Sequence, residues 1–343
     1  MSRGQPRPAV SIVCPAYNEV DVIAGAIERL RACLNSLPVD TEVLIINDGS
    51  TDGTVATARR AIGPDPRFRI LSHKGNFGRG RALRTGFKEA NGAIIVTTEA
   101  DLSWGEDVIA RMLDAFERDP RLDAVFASPH LEGGGYRNVP RHRIVLSRLG
   151  NRLLRALYPS KISMTTGMTR AYRASAIQGH TFSKDGKELH LEIAHRLMTL
   201  GYRLGEVPAV LSWPEPSAGR KARRRRTNWK AIQRLIASHL AFGFLQGISR
   251  VVGPVIVLLT LAIVVLGSWA VWNLLTGGPS IFLAELTGIL LILWTTLVVG
   301  YFLLIHVFQV EGDLWRVQHA LEVSTAEQRA NEIRYYEEES LIG

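Results

Sequence analysis

From Val251 to Ala284 the chain contains no Asp, Glu, Lys or Arg, and from Leu286 to Val310 there is again none. No other feature restricts the fold so strongly. The hydrocarbon core of a bilayer is about 30 Å thick and takes about 20 apolar helical residues to cross. Each stretch meets that length, and Gly277-Gly278-Pro279-Ser280 supplies a turn between them. The competing reading is a pair of buried core helices in a soluble domain. Two transmembrane helices are expected instead, over 251–276 and 281–310.

The surrounding charges orient that pair. Lys221, Arg223, Arg224, Arg225, Arg226, Lys230, Arg234 and Arg250 precede the first stretch, and the turn between the two has no Lys or Arg. Basic flanks stay on the cytoplasmic side. Both termini are therefore expected in the cytoplasm, in an integral protein of the cytoplasmic (inner) membrane. Ala9 to Cys14 is too short an apolar run for a secretory leader. Cys14 and Cys33 are too few for a disulfide framework and suit a reducing compartment.

The formal charge of +9 over 343 residues raises the question of nucleic acid. The densest basic cluster directly precedes a transmembrane stretch, where each basic residue gains about 1 kcal/mol near anionic lipid. Anionic lipid headgroups are the expected partner, and nucleic acid is not. Asn228 to Ile248 carries Trp229, Ile232, Leu235, Ile236, Leu240 and Phe244 at helical spacing. It reads as an amphipathic helix in the headgroup region, with a domain-packing helix as the alternative.

Residues 1–218 read as an α/β domain, 219–250 as a basic juxtamembrane region and 311–343 as a polar cytoplasmic tail. In the α/β part, strands are expected over Val10–Cys14, Glu42–Ile46, Phe68–Leu71 and Ala93–Thr97. Helices alternate with them, one running to Leu34, then Val55–Ala61 and Gly80–Ala90. Further on come a strand at Ala124–Ala127, a helix at Arg143–Leu157, a helix at Leu189–Leu200 and a strand around Val207–Leu211. Alternation of this kind implies a mostly parallel sheet covered on both faces. Ligands of such sheets bind beyond the carboxyl ends of the strands, and the polar clusters of this chain fall at those ends.

Carboxylates at strand ends do two jobs for a nucleotide bearing a diphosphate. Some accept hydrogen bonds from base and ribose, and others hold a divalent cation on the diphosphate. Glu99 and Asp101 suit the second job, and Ser103 can add an oxygen. Such a hard-oxygen set selects Mg²⁺ or Mn²⁺ over zinc. An acid-x-acid pair alone is weak evidence, because solvated loops contain it by chance.

Its company is more specific. The motifs in order are Val13-Cys14-Pro15-Ala16-Tyr17-Asn18-Glu19, Ile46-Asn47-Asp48-Gly49-Ser50-Thr51-Asp52-Gly53-Thr54 and Asn76-Phe77-Gly78-Arg79-Gly80-Arg81-Ala82. Glu99-Ala100-Asp101-Leu102-Ser103, Arg143 to Asn151, Thr166-Gly167 and Gly201 to Pro208 follow. Over about residues 9 to 212 this resembles the family-2 inverting glycosyltransferases of GT-A fold, in the branch that makes polyprenyl-phosphate sugars. The resemblance implies a nucleotide-sugar donor, UDP- or GDP-linked, and a polyprenyl phosphate acceptor. It places Pro15, Tyr17, Glu19 and Asp48 at the nucleoside, with Glu99 and Ala100 also at the nucleotide-sugar. Asp101 becomes the principal metal ligand, aided by Glu99 and Ser103. Arg143 and Ser147 fall at the acceptor phosphate, so Asp101 and Arg143 are the residues expected to carry catalysis. Relatives with two spans often form homo-tetramers, so a homo-oligomer is expected.

The chain departs from that pattern in places. Glu99 stands where the family usually has Asp, Met164 where an Asp precedes the Thr-Gly pair, and Pro129 where an Arg is frequent. A non-catalytic membrane scaffold on a degenerate core is therefore kept as an alternative. So is transfer to another lipid or a polysaccharide, although a processive synthase carries a Gln-x-x-Arg-Trp motif that is missing from this sequence. Gly75, Gly78 and Gly80 do not form the Gly-x-Gly-x-x-Gly turn of a dinucleotide-dependent oxidoreductase.

Overall fold

The computed structural model describes residues 8–141, 144–145, 147–148, 162–165, 167–213, 245–279 and 281–342. In chain order the elements are β1 (Val10–Ala16), α1 (Ile23–Ser36), β2 (Thr41–Asn47), α2 (Thr54–Ile62), β3 (Phe68–Ser72) and α3 (Arg79–Glu89). Then come β4 (Ile94–Thr97), α4 (Asp107–Arg118), β5 (Ala124–Ser128), β6 (Gly135–Arg137), β7 (Arg170–Arg173) and the single turn α5 (Ala174–Ile177). The rest are α6 (Leu189–Thr199), β8 (Leu204–Pro208), β9 (Val210–Ser212), α7 (Leu245–Thr276) and α8 (Ile281–Ile342).

Among the described residues the main sheet has seven strands in the order β3-β2-β1-β4-β7-β5-β8. β1, β2, β3 and β4 run parallel to one another, β5 pairs with β8 in parallel, and β7 runs antiparallel between β4 and β5. Strands buried on both faces are written as continuous apolar runs. Every residue of β1 and β2 is buried accordingly. Successive side chains alternate between faces. Ile12 and Cys14 join a core with α1, α2 and α4, whereas Val13 joins one with α3, α5 and α6.

The sequence reading finds β1 to β5 within a residue or two of their ends but not β6, and Ala82, Leu83, Gly86 and Phe87 of α3 are buried as expected. It names no helix between β4 and β5, although Val108, Ile109, Met112, Leu113 and Phe116 recur at helical spacing on α4 and are all buried. It also misses β7, whose four residues Arg-Ala-Tyr-Arg are too short and too charged at their ends to read as a strand. The single strand expected around Val207–Leu211 is corrected to two strands in different sheets. β8 ends at Pro208, and the chain crosses at Ala209. The Ala209 N–H donates to the Ser128 carbonyl at 2.9 Å, and its own carbonyl accepts from Gly135 N–H at 3.1 Å. β9 then pairs with β6 in a separate small sheet.

Most of the expected helix Arg143–Leu157, and residues 228–244 of the expected amphipathic helix, lie outside the described residues. The two apolar stretches form helices. Val252–Thr276 and Ile281–Val307 are long and apolar enough to cross a membrane, with mean hydropathy of 2.5 and 2.4. Their side chains are open to the surroundings rather than packed in protein; Leu275 is 78% exposed. The two helices touch each other through Trp294, whose Nε1 donates to Thr260 Oγ1 at 2.8 Å. Polar bonds of this kind hold helix pairs together where no hydrophobic drive exists. The second helix continues without a break to Ile342, so the polar segment after the apolar stretch shares its axis.

Candidate active site

The carboxyl ends of β1, β2 and β4 face one cleft, and hydrogen bonds stitch their loops together. Asn18, in the left-handed region at φ 54, accepts the Thr51 N–H on its Oδ1 at 2.9 Å, while its own N–H donates to Ser50 Oγ at 3.0 Å. The Glu19 N–H donates to Thr54 Oγ1 at 2.8 Å. These bonds lock the β1 loop to the β2 loop. They leave Tyr17 41% exposed, an aromatic face available for stacking. Pro15 is buried as part of β1, and Glu19 is half-buried.

Asp48 is almost fully buried and accepts three hydrogen bonds. Its Oδ2 takes the Gly78 N–H at 2.8 Å, and its Oδ1 takes the Phe77 N–H at 3.1 Å and lies 2.9 Å from His73 Nδ1. His73 Nε2 is in turn 2.9 Å from Thr85 Oγ1. The carboxylate therefore fixes the loop before α3, and the nucleoside contact expected of it has to share these bonds. Next to it, Gly49 has φ +69, and a Cβ there would meet the Gly75 carbonyl carbon at 2.3 Å. Only glycine allows this turn.

The loop after β4 gathers the acid pair. Leu102 has φ 47 and is buried, a left-handed turn that costs a non-glycine residue about 1–2 kcal/mol. The turn swings Ser103 back onto both acids. Ser103 Oγ donates to Glu99 Oε2 at 2.6 Å, and the Ser103 N–H donates to Asp101 Oδ1 at 3.0 Å. Asp101 is exposed at the cleft, whereas the Ala100 side chain is buried in the core. Arg79, at the start of α3, places Nη1 3.2 Å from Glu99 Oε1. Among the described residues no three His, Cys, Asp or Glu side chains cluster as a metal site. Two carboxylates with a serine fit a divalent cation that takes its remaining oxygens from a bound diphosphate or water, as Mg²⁺ does.

Cys14, at the end of β1, reports the field of this cleft. Burial pushes its thiol up to about 12, and the charges of Asp101, Glu19 and Glu99 push the same way, with Arg79 opposing them. Three carboxylates thus converge on one end of β1.

On the other side, Ser147 Oγ lies 3.4 Å from the Tyr136 hydroxyl of β6, which is also 3.4 Å from His130 Nε2. The small sheet is tied to the acid loop, because the Ser212 N–H of β9 donates to the Ser103 carbonyl at 2.7 Å. Arg143 lies outside the described residues. Met164 is buried in the core and its N–H donates to Glu206 Oε1 at 3.0 Å, while Pro129 is buried beside β5. The sequence reading assigns no role to His73, Arg79 or Tyr136. The strand-end rule could have found His73, which directly follows β3.

Residues 11–180 match the family model described as glycosyl transferase family 2. The polyprenol monophosphomannose synthase of Mycolicibacterium smegmatis is 29% identical over 216 residues, covering 61% of this chain and 79% of the relative. The undecaprenyl-phosphate mannosyltransferase of Micrococcus luteus is 29% identical over 205 residues, covering 58% of this chain and 82% of the relative. Among solved structures, glucosyl-3-phosphoglycerate synthase from Mycobacterium tuberculosis, in complex with Mg²⁺ and UDP, superimposes with a TM-score of 0.51 at 18% identity, covering 69% of this chain and 79% of that one. The fold is the expected GT-A arrangement.

Proposed function

With a glycosyl transferase family 2 domain as the premise, we propose that this glycosyltransferase moves a sugar from a UDP- or GDP-linked donor to a polyprenyl phosphate at the cytoplasmic face of the membrane. The observation that carries this reading is the loop after β4, where Ser103 bonds to both Glu99 and Asp101. That loop is one hydrogen bond from the small sheet bearing Tyr136, whose hydroxyl lies 3.4 Å from Ser147 Oγ. The relatives are named for the same class of acceptor.

Tyr17 and Pro15 form the nucleoside side of the cleft, and Asp48 holds the Phe77–Gly78 loop in place there. Glu99, Asp101 and Ser103 are the groups that would hold a divalent cation, Mg²⁺ or Mn²⁺; a protein of similar fold was crystallised with Mg²⁺ and UDP. The chemistry such an ion supplies is neutralisation of charge on the departing diphosphate. Arg79 is placed to share in that neutralisation.

Displacement at a sugar carbon by a hydroxyl needs a base to take up the proton. A phosphate oxygen already carries negative charge at neutral pH. It attacks the anomeric carbon with inversion, the carbon–oxygen bond to the diphosphate breaks, and nucleoside diphosphate leaves with no proton transferred. The protein has only to hold two anions close together. Arg143 and Ser147 serve the acceptor phosphate, which lies at the headgroup plane where the basic run 221–234 meets anionic lipid.

The experiment is transfer of labelled sugar from a panel of nucleotide-sugars to polyprenyl phosphate in vesicles. Label should pass into the lipid extract from one donor only. Failure with every donor while the protein still binds nucleotide and Mg²⁺ contradicts the acceptor assignment.

A further inference from the structure

The polar extension of α8 meets the catalytic domain at Trp315. Although the neighbouring Leu314 and Val317 are 64% and 56% exposed, Trp315 is only 9% exposed. Its ring lies 4.5 Å from the Arg196 guanidinium and edge-on to His195, with ring centroids 5.6 Å apart. Both partners sit in the last turns of α6. Indole is the best of the aromatic faces for a cation. This contact joins the membrane helix directly to the domain that carries the cleft.

Two observations give the contact a geometric meaning. First, α8 is one continuous helix, and Trp315 is five residues beyond Val310, the last residue of the charge-free stretch. At about 1.5 Å per residue, Trp315 stands about 7–8 Å above that end. The headgroup layer on each side of a bilayer is about 5–8 Å thick, so α6 is held at its outer edge. Second, α6 is tied to the site. Arg196 pairs with Glu192 at 3.9 Å, and both are buried. Glu192 accepts the N–H groups of Ser183 and Lys184 at 2.9 and 3.0 Å. The adjoining Asp185 carbonyl accepts from Gly80 N–H at 2.7 Å, at the start of α3 where Arg79 faces Glu99.

We propose that Trp315 is a positioning residue: it docks α6 on the rigid extension of α8 and so fixes the height of the cleft above the membrane, at a level where a lipid-borne phosphate reaches it. The inference rests on the proposed transfer to a polyprenyl phosphate. Trp315 touches neither donor nor acceptor. Its contribution is to hold the two reacting anions in register for an acceptor that cannot leave the bilayer.

The test uses the full-length protein in vesicles with a long-chain polyprenyl phosphate, and in parallel a short-chain one dispersed in detergent. Trp315→Ala should lose at least tenfold in transfer to the embedded acceptor. It should stay within about threefold of the parent protein with the dispersed acceptor, and within twofold in nucleotide affinity. Trp315→Phe keeps a ring over Arg196 and should recover most of the loss. Seven residues inserted between Glu311 and Gly312 raise Trp315 by about 10 Å while nearly preserving its direction, and should impair embedded transfer as the alanine does. Undiminished embedded transfer by Trp315→Ala or by the insertion overturns the proposal, as does an equal loss with both acceptors. If the parent protein transfers to neither acceptor, the proposed function itself fails, a result distinct from these.

Discussion

Arg79 Nη1 lies 3.2 Å from Oε1 of Glu99, so the protein places its own cation against one of the two acids of the β4 loop. A divalent ion and Arg79 compete for that carboxylate. Arg79→Gln should therefore lower the Mg²⁺ concentration needed for half-maximal transfer, by roughly threefold or more. It should also raise the KM for the nucleotide-sugar, because the diphosphate loses a positive neighbour. A metal titration at several donor concentrations reads both effects.

Asp48 is a structural carboxylate as much as a binding one. It accepts the Phe77 and Gly78 N–H groups, and Asp48→Ala leaves both part-buried donors to water. A hydrogen bond contributes about 0.5–1.5 kcal/mol net, so the variant should lose about 1–3 kcal/mol of stability. Denaturant unfolding measures the loss, and donor KM should rise with it as the loop before α3 loosens.

Gly49→Ala is expected to be worse tolerated than its small size suggests. Its φ is +69, and the added methyl would meet the Gly75 backbone at 2.3 Å. Strain and backbone displacement together should cost more than about 2 kcal/mol. A lowered melting temperature with reduced nucleotide affinity is the expected readout.

Acid should weaken the fold through α6. Burial pushes the His195 ring down to about 4, helped by the Arg196 charge. Burial, with Arg170, Arg79 and Lys187, pushes His190 down as well, and neither of its ring nitrogens has a hydrogen-bond partner among the described residues. Histidines held neutral when folded take up protons in the unfolded chain near 6.5. Stability is then fully present above that pH and falls as pH drops toward 4, by up to about 1.4 kcal/mol per unit for each group in its window. Unfolding midpoints between pH 7 and 4 check this, and His195→Gln should flatten part of the slope.

The catalytic core was legible in the sequence because its strands are buried on both faces and its polar residues collect at their ends. Asp101, Glu99 and Ser103 are brought together as that pattern implied, and so are the loops of Tyr17 and Asp48. Pair contacts between distant segments leave no local trace. Nothing in the periodicity of α6 or α8 links Arg196 to Trp315, and nothing in the Arg170–Arg173 segment shows that tertiary pairing makes it a central strand. The crossing at Ala209 was hidden for a related reason: a short apolar run looks the same whether it stays in one sheet or passes to another. Ala100 shows another limit: its methyl is packed in the core, so only its backbone is left for the nucleotide-sugar contact expected of it.

The most direct test of the account compares the parent protein with Asp101→Ala in vesicles containing polyprenyl phosphate, labelled nucleotide-sugar and Mg²⁺ or Mn²⁺. The parent should move label into the lipid extract, lose that activity on chelation and regain it when metal returns. Asp101→Ala should fall at least about a hundredfold while remaining folded and membrane-inserted. Transfer by the variant at the parent rate, or transfer by the parent that ignores chelation, contradicts the role given to the acid pair.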